Sequence, residues 1–210
     1  MVKKSLFILA VLSLLISANV SYKKTKIAKG ITVSLPSGFV PMSDADIAAR
    51  YPSTKKPLAM FTSSKKDADF GVNVSKTKVP GADVPFLHKT FKATILESFD
   101  EVNFIQEGVK EVNGRLFSVF EYTSEADGIE KYIHVMYTLH KSKVLVFNFS
   151  CDKSLLNEWK PISEYIMASV KINDAKLKLP EDPSQKHVPP PQTPLQILEM
   201  QKKTSKKSGK

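Results

Sequence analysis

Apolar residues recur at strand spacing or helix spacing through the middle of the chain, and the pattern stops near Ile172. Ile31, Val33 and Leu35 alternate with polar residues and predict a strand that ends at the turn Pro36-Ser37-Gly38. Ser43 is placed to cap a short helix over DADIAARY, with Asp46 closing a capping box. Strands over Leu58–Thr62 and Phe70–Ser75 pair across the polar loop SSKKDAD. Asp83 begins an amphipathic helix to about Phe99, in which Leu87, Phe91, Ile95 and Phe99 form one stripe that reads as core packing. Four strands follow. Phe104–Val112 and Arg115–Thr123 flank Asn113-Gly114, a hairpin signal. Asp127-Gly128 leads to Lys131–His140, and Lys141-Ser142 to Val144–Cys151. Asp152 or Ser154 caps a last helix through Trp159 to Ala168, with a kink or restart expected at Pro161, and Ser169–Ile172 closes as a strand. Hairpin-joined strands with a few interposed helices give an α+β class: an antiparallel β-sheet with helices packed on it.

The two ends have different compositions. The chain opens MVKKSLFILAVLSLLISANVSY: Lys3 and Lys4, an apolar run Leu6–Ile16, then Ser17-Ala18. That is the order of a secretory signal peptide over residues 1–18, and the run is too short for a membrane-spanning helix. No cysteine follows the run, so no lipoprotein anchor is expected there. From Asp174 onward prolines accumulate, five of them between Pro180 and Pro191, and five lysines fall in the last nine residues. Such a segment does not sustain helix or sheet, so residues 174–210 are expected to be a disordered proline-rich basic tail, with at most a helical turn or two over Leu195–Met200. Residues 19–173 remain as one domain.

Charge narrows the partners. Of the net +10, the tail carries +4, from eight lysines against four acids. The chain has 29 lysines and two arginines, Arg50 and Arg115. Readout of phosphate and guanine favours the planar guanidinium, so nucleic acid is not an expected partner.

The quoted stretches ITVSLPSGF (31–39), EVNGRLFSVFEY (111–122) and KYIHVMYTLHKSKVLVFNFSCDKSLLNEWKPISEYIMASVKI (131–172), in this order, resemble the PsbP-like superfamily of PsbP and DcrB-type α+β domains. The resemblance covers residues 30–172. It implies the fold and an accessory or binding role, and it transfers no catalytic residue. The tail is not part of it.

Candidate chemistry is sparse. The histidines are His88, His134, His140 and His187. His134 and His140 lie six residues apart on one predicted strand, roughly 20 Å, too far to share a metal. His88 neighbours Lys89 and Lys92, and His187 is in the tail. No metal, nucleophile or phosphate-loop motif occurs. Glu121 with Glu125, and Asp67 with Asp69, read as solvated charge. Asn19, Asn73 and Asn148 begin Asn-x-Ser triplets, read as chance. Cys151 is the lone cysteine and shares parity with Leu145, Phe147 and Phe149, so a buried, inert thiol is expected rather than a reactive or cross-linking one.

The expectation is an exported, non-enzymatic binding or accessory protein of the cell envelope, periplasmic or extracellular, whose partner is another envelope protein. It has no assigned catalytic, cofactor-binding or metal residues. The competing reading is a surface-attachment protein held on an anionic membrane or cell-wall polymer by its basic tail.

Overall fold

The computed structural model describes residues 20–51, 56–75, 78–126, 128–177 and 179. The expected signal segment, His187 and nearly all of the expected tail lie outside them. Two antiparallel sheets form. The smaller has the order β1-β2-β10, with β1 Tyr22–Ala28, β2 Ile31–Pro36 and β10 Lys171–Ile172. The larger has the order β3-β4-β5-β9-β8-β7-β6. Its strands are β3 Phe39–Pro41, β4 Ala59–Ser63, β5 Ala68–Val74, β6 Glu101–Val112, β7 Arg115–Ala126, β8 Ile129–His140 and β9 Lys143–Asp152. The helices are α1 Asp44–Arg50, α2 Val84–Ser98 and α3 Leu156–Ala168, with a 3-10 turn Lys153–Leu155 before α3. No described helix is long and apolar enough to cross a membrane.

Parity assigns each face of the large sheet. Leu145, Phe147, Phe149 and Cys151 of β9 point to the face covered by α3 and the small sheet, where they meet Ile31, Val33, Leu35, Trp159 and Ile166. On the opposite face, Ile95 of α2 packs on Phe120, Tyr122 and Val135, with Phe91 and Phe99 beside it. The helical stripe therefore buries against the sheet as its spacing of four implies. β9 lies between β5 and β8, so both its edges are paired; its row Leu145, Phe147, Phe149, Cys151 is buried, whereas Val146, Asn148 and Ser150 on the opposite face are half-buried.

Local signals place the turns and caps. Asn113 (φ 50°) and Gly114 (φ 78°) turn the β6–β7 hairpin in the left-handed region. Asp83 accepts the Phe86 N–H at 2.7 Å and starts α2. The Ser43 hydroxyl accepts the Asp46 N–H at 3.0 Å and donates to its carboxylate at 2.7 Å.

Four expectations need correction. β1 has no counterpart among the expected strands; its run of polar residues Lys23–Lys26 hides the strand period, and its pairing with β2 supplies the order that its sequence lacks. Neither Asp152 nor Ser154 caps α3: the 3-10 turn intervenes, and Asp152 pairs with Lys131 instead. Pro161 sits inside one continuous α3, so the helix does not restart there. The carbonyl that it leaves without a helical donor is that of Asn157, an exposed residue. Finally, the packed chain runs past Asn173. Asp174 pairs with Arg115 and His140, and Leu177 is 2% exposed within the main core. Gly30 (φ +94°) lets this strap approach: a Cβ there would lie 2.7 Å from the Leu177 nitrogen.

Candidate functional site

The α2-bearing face of the large sheet is not fully covered. Between α1 and the region under α2 a cleft of about 240 Å³ opens. Strand parity builds its floor: Gly71 and Asn73 of β5, Val146 and Asn148 of β9, and Val135 and Tyr137 of β8 all point there. Gly71 stands opposite Asn148, and Asn73 opposite Val146, so the two carboxamides are diagonal neighbours on an otherwise apolar floor. Ile47, Tyr51 and Pro57 form one wall. The ring of Phe91 stacks on Tyr137 at 3.8 Å and marks the other. Gly71 lets the floor pack tightly, since a Cβ there would lie 2.3 Å from the Met60 sulfur.

Asp69 anchors the α1 wall. Its Oδ2 accepts from Arg50 Nη2 at 2.6 Å and from the Tyr51 hydroxyl at 2.5 Å. Burial, and then the adjacent Asp69 carboxylate, push the Tyr51 phenol well above its usual value. Asp69 Oδ1 is buried without a hydrogen-bond partner among the described residues. The expected solvated carboxylate is thus a buried one, 4% exposed, that clamps the short helix to the sheet. A seven-residue helix with no buried residue of its own needs such a clamp.

A second buried polar cluster lies on the other face. Glu121 is 0% exposed, again against the expectation of solvated charge. Its Oε1 accepts from the Tyr132 hydroxyl at 2.9 Å and pairs with Lys160 Nζ at 3.1 Å. Ser163 Oγ lies 2.7 Å from the Tyr132 oxygen and 3.3 Å from His134 Nδ1. With a proton on Nδ1, His134 donates to Ser163, Ser163 donates to the Lys160 carbonyl at 2.8 Å, and Tyr132 donates to Glu121. Burial lowers the His134 pKa to about 4, so the ring is neutral at pH 7. Serine, histidine and carboxylate meet here, but Ser163 and Glu121 are wholly enclosed and line no described cavity. The cluster ties α3 to β7 and β8.

The remaining singled-out residues are placed individually. His88 stacks on Phe120 at 4.5 Å and lies 3.1 Å from Ser118 Oγ; the lysines beside it in sequence do not isolate it. His140 meets Asp174 at 2.6 Å. His134 and His140 occupy one regular strand and do not converge. Among the described residues, no three His, Cys, Asp or Glu side chains group as metal ligands. Cys151 is 3% exposed, and burial pushes its thiol up to about 12. Asn73 and Asn148, singled out only as Asn-x-Ser triplets, are the polar groups of the cleft floor.

No family model and no curated relative matches the chain in sequence. Solved structures do match in shape. Cyanobacterial PsbP (CyanoP) from Synechocystis sp. PCC 6803 is similar with a TM-score of 0.53 at 14% identity, over 75% of this chain and 95% of that one. LpqN of Mycobacterium tuberculosis, involved in cell envelope biogenesis, gives 0.53 at 11% identity, over 78% and 96%. The Ran-binding protein Mog1p of Saccharomyces cerevisiae gives 0.50 at 12%, over 75% and 98%. The chain has the PsbP-like α+β fold.

Proposed function

We propose that this chain is an exported accessory protein of the cell envelope that acts by binding another envelope protein rather than by catalysis. The cleft between α1 and the sheet carries this reading: a concave, mostly apolar surface with two carboxamides on its floor suits recognition. The N-terminal order of lysines, apolar run and small residues supports export. The same fold is found in LpqN, involved in cell envelope biogenesis, and in Mog1p, which binds Ran, and the reading gives this chain a role of that kind. Fractionation tests it. The mature chain should begin shortly after Ala18 and appear in the periplasm or culture fluid, and its partner complex should survive rising salt. Met1 recovered in a membrane fraction would overturn export. Attachment through the tail's lysines would instead wash off with salt, because those contacts are screened.

A further inference from the structure

The outer face of the small sheet carries a different kind of surface. Ile31, Val33 and Leu35 point into the core, so Thr32 and Ser34 of β2 point outward. Thr32 is opposite Lys26 on one side and Lys171 on the other, and Ser34 is opposite Lys24. Lysines therefore flank the central strand on both sides, roughly 10 Å apart at the backbone. Lys176 joins them on the turn after β10, where its N–H is held by Asn173. These four exposed lysines line a groove of about 730 Å³ with no acidic side chain among the described residues of its lining. None of the four makes an ion pair among the described residues, whereas Lys56, Lys92, Lys131, Lys153 and Lys160 all do.

Like charges placed across a sheet repel one another, and no acid among the described residues of the groove offsets them. The arrangement suits an incoming anion. Ammonium groups on flexible stems bind phosphate as point charges, without the planar selectivity of arginine. Their spacing across three strands exceeds what one charge needs and fits a ligand with several. The groove is open to solvent, so a soluble ligand reaches all four lysines at once. We propose that this groove is a binding site for a soluble phosphorylated ligand that carries at least two anionic groups, independent of the cleft on the opposite side of the fold.

Titration of the full mature chain with inorganic tripolyphosphate, followed by calorimetry, tests the proposal. Binding should be tighter than for inorganic phosphate and should weaken as salt rises. Lys26→Glu with Lys171→Glu should weaken it at least about tenfold, since two attractive charges become repulsive. A control pair on exposed lysines elsewhere, Lys65→Glu with Lys89→Glu, should change it less than about twofold. Unchanged melting temperatures in both variants establish that the folds are intact. Equal losses in the two pairs would overturn the site. So would binding to phosphatidylglycerol vesicles that is lost in the groove variant while tripolyphosphate does not bind. Tripolyphosphate binding that appears only after Glu181→Gln with Asp182→Asn would also overturn it, because the chain's own acids would then be the occupant.

Discussion

Truncation after Asn173 should destabilise the domain, and Leu177→Ala should account for much of the loss. Leu177 is 2% exposed and lies in the cluster that holds Ile31, Trp159 and Ile166. Removing a buried leucine beyond Cβ costs about 2–5 kcal/mol, the transfer of the lost carbons plus the cavity left behind. The lower part of that range applies, because the strap comes from a chain end and can settle inward. With about 3 kcal/mol lost, a domain of this size should melt about 6–12 °C lower. Truncation after Asn173 adds the loss of Asp174, leaving Arg115 and the buried His140 without that partner. Gly30→Ala should reach a similar end by another route, since its Cβ would displace the Leu177 backbone and its φ is +94°. The only tryptophan, Trp159, is 7% exposed and reports the transition by fluorescence. Truncation after Leu179 should leave the melt unchanged. If truncation after Asn173 melts within about 2 °C of the full chain, the strap contributes less than about 1 kcal/mol and the reasoning is refuted.

Acid should destabilise the fold through His134. Its folded pKa, about 4, lies below the unfolded value near 6.5, so the unfolded chain binds the extra proton and stability falls as pH drops through that window. The loss between pH 7.5 and pH 5 is about 2 kcal/mol by linkage, and a pH series of denaturant melts should show His134→Gln with a flatter profile. Lys141 and Ser142 hold φ of 48° and 63° in a two-residue hairpin, so Lys141→Asn with Ser142→Gly should stabilise by about 1–2 kcal/mol; no gain in denaturant midpoint would contradict that strain. Asp69→Ala should cost about 1–3 kcal/mol and increase hydrogen exchange in α1, because Arg50 and Tyr51 lose their common acceptor. Cys151 should react with a thiol reagent only after denaturation; labelling of the native protein at the rate of a free thiol would refute its burial.

Parity along the strands made most of the fold legible. The row Leu145, Phe147, Phe149, Cys151 faces the core as alternation requires, and the stripe Leu87, Phe91, Ile95 lies against the sheet. Turn chemistry was equally direct at Asn113-Gly114. What escaped was whatever depends on a neighbour distant in sequence. β1 has a polar run over Lys23–Lys26 and takes its order from β2. The strap at Asp174–Leu177 follows the last periodic element, and its anchors, Arg115, His140 and Gly30, are far away in the chain. Residue type misled at Glu121 and Asp69, since an acid suggests solvent. Parity contained the correction for Glu121: it falls in the inward row with Phe117 and Val119, opposite His134. The cleft was not legible, because it depends on where α1 docks, and the Asp69 clamp that docks it crosses 19 residues.

The binding role proposed for the cleft is tested most directly by paired affinity capture from the chain's own envelope fraction. The full mature chain serves as one bait. Its Ile47→Glu, Asn148→Phe variant, which places a charge on the wall and fills the floor, serves as the other. The account predicts one envelope protein retained by the first bait at high salt and lost from the second, with both baits melting alike. The same captured proteins on both baits would contradict it.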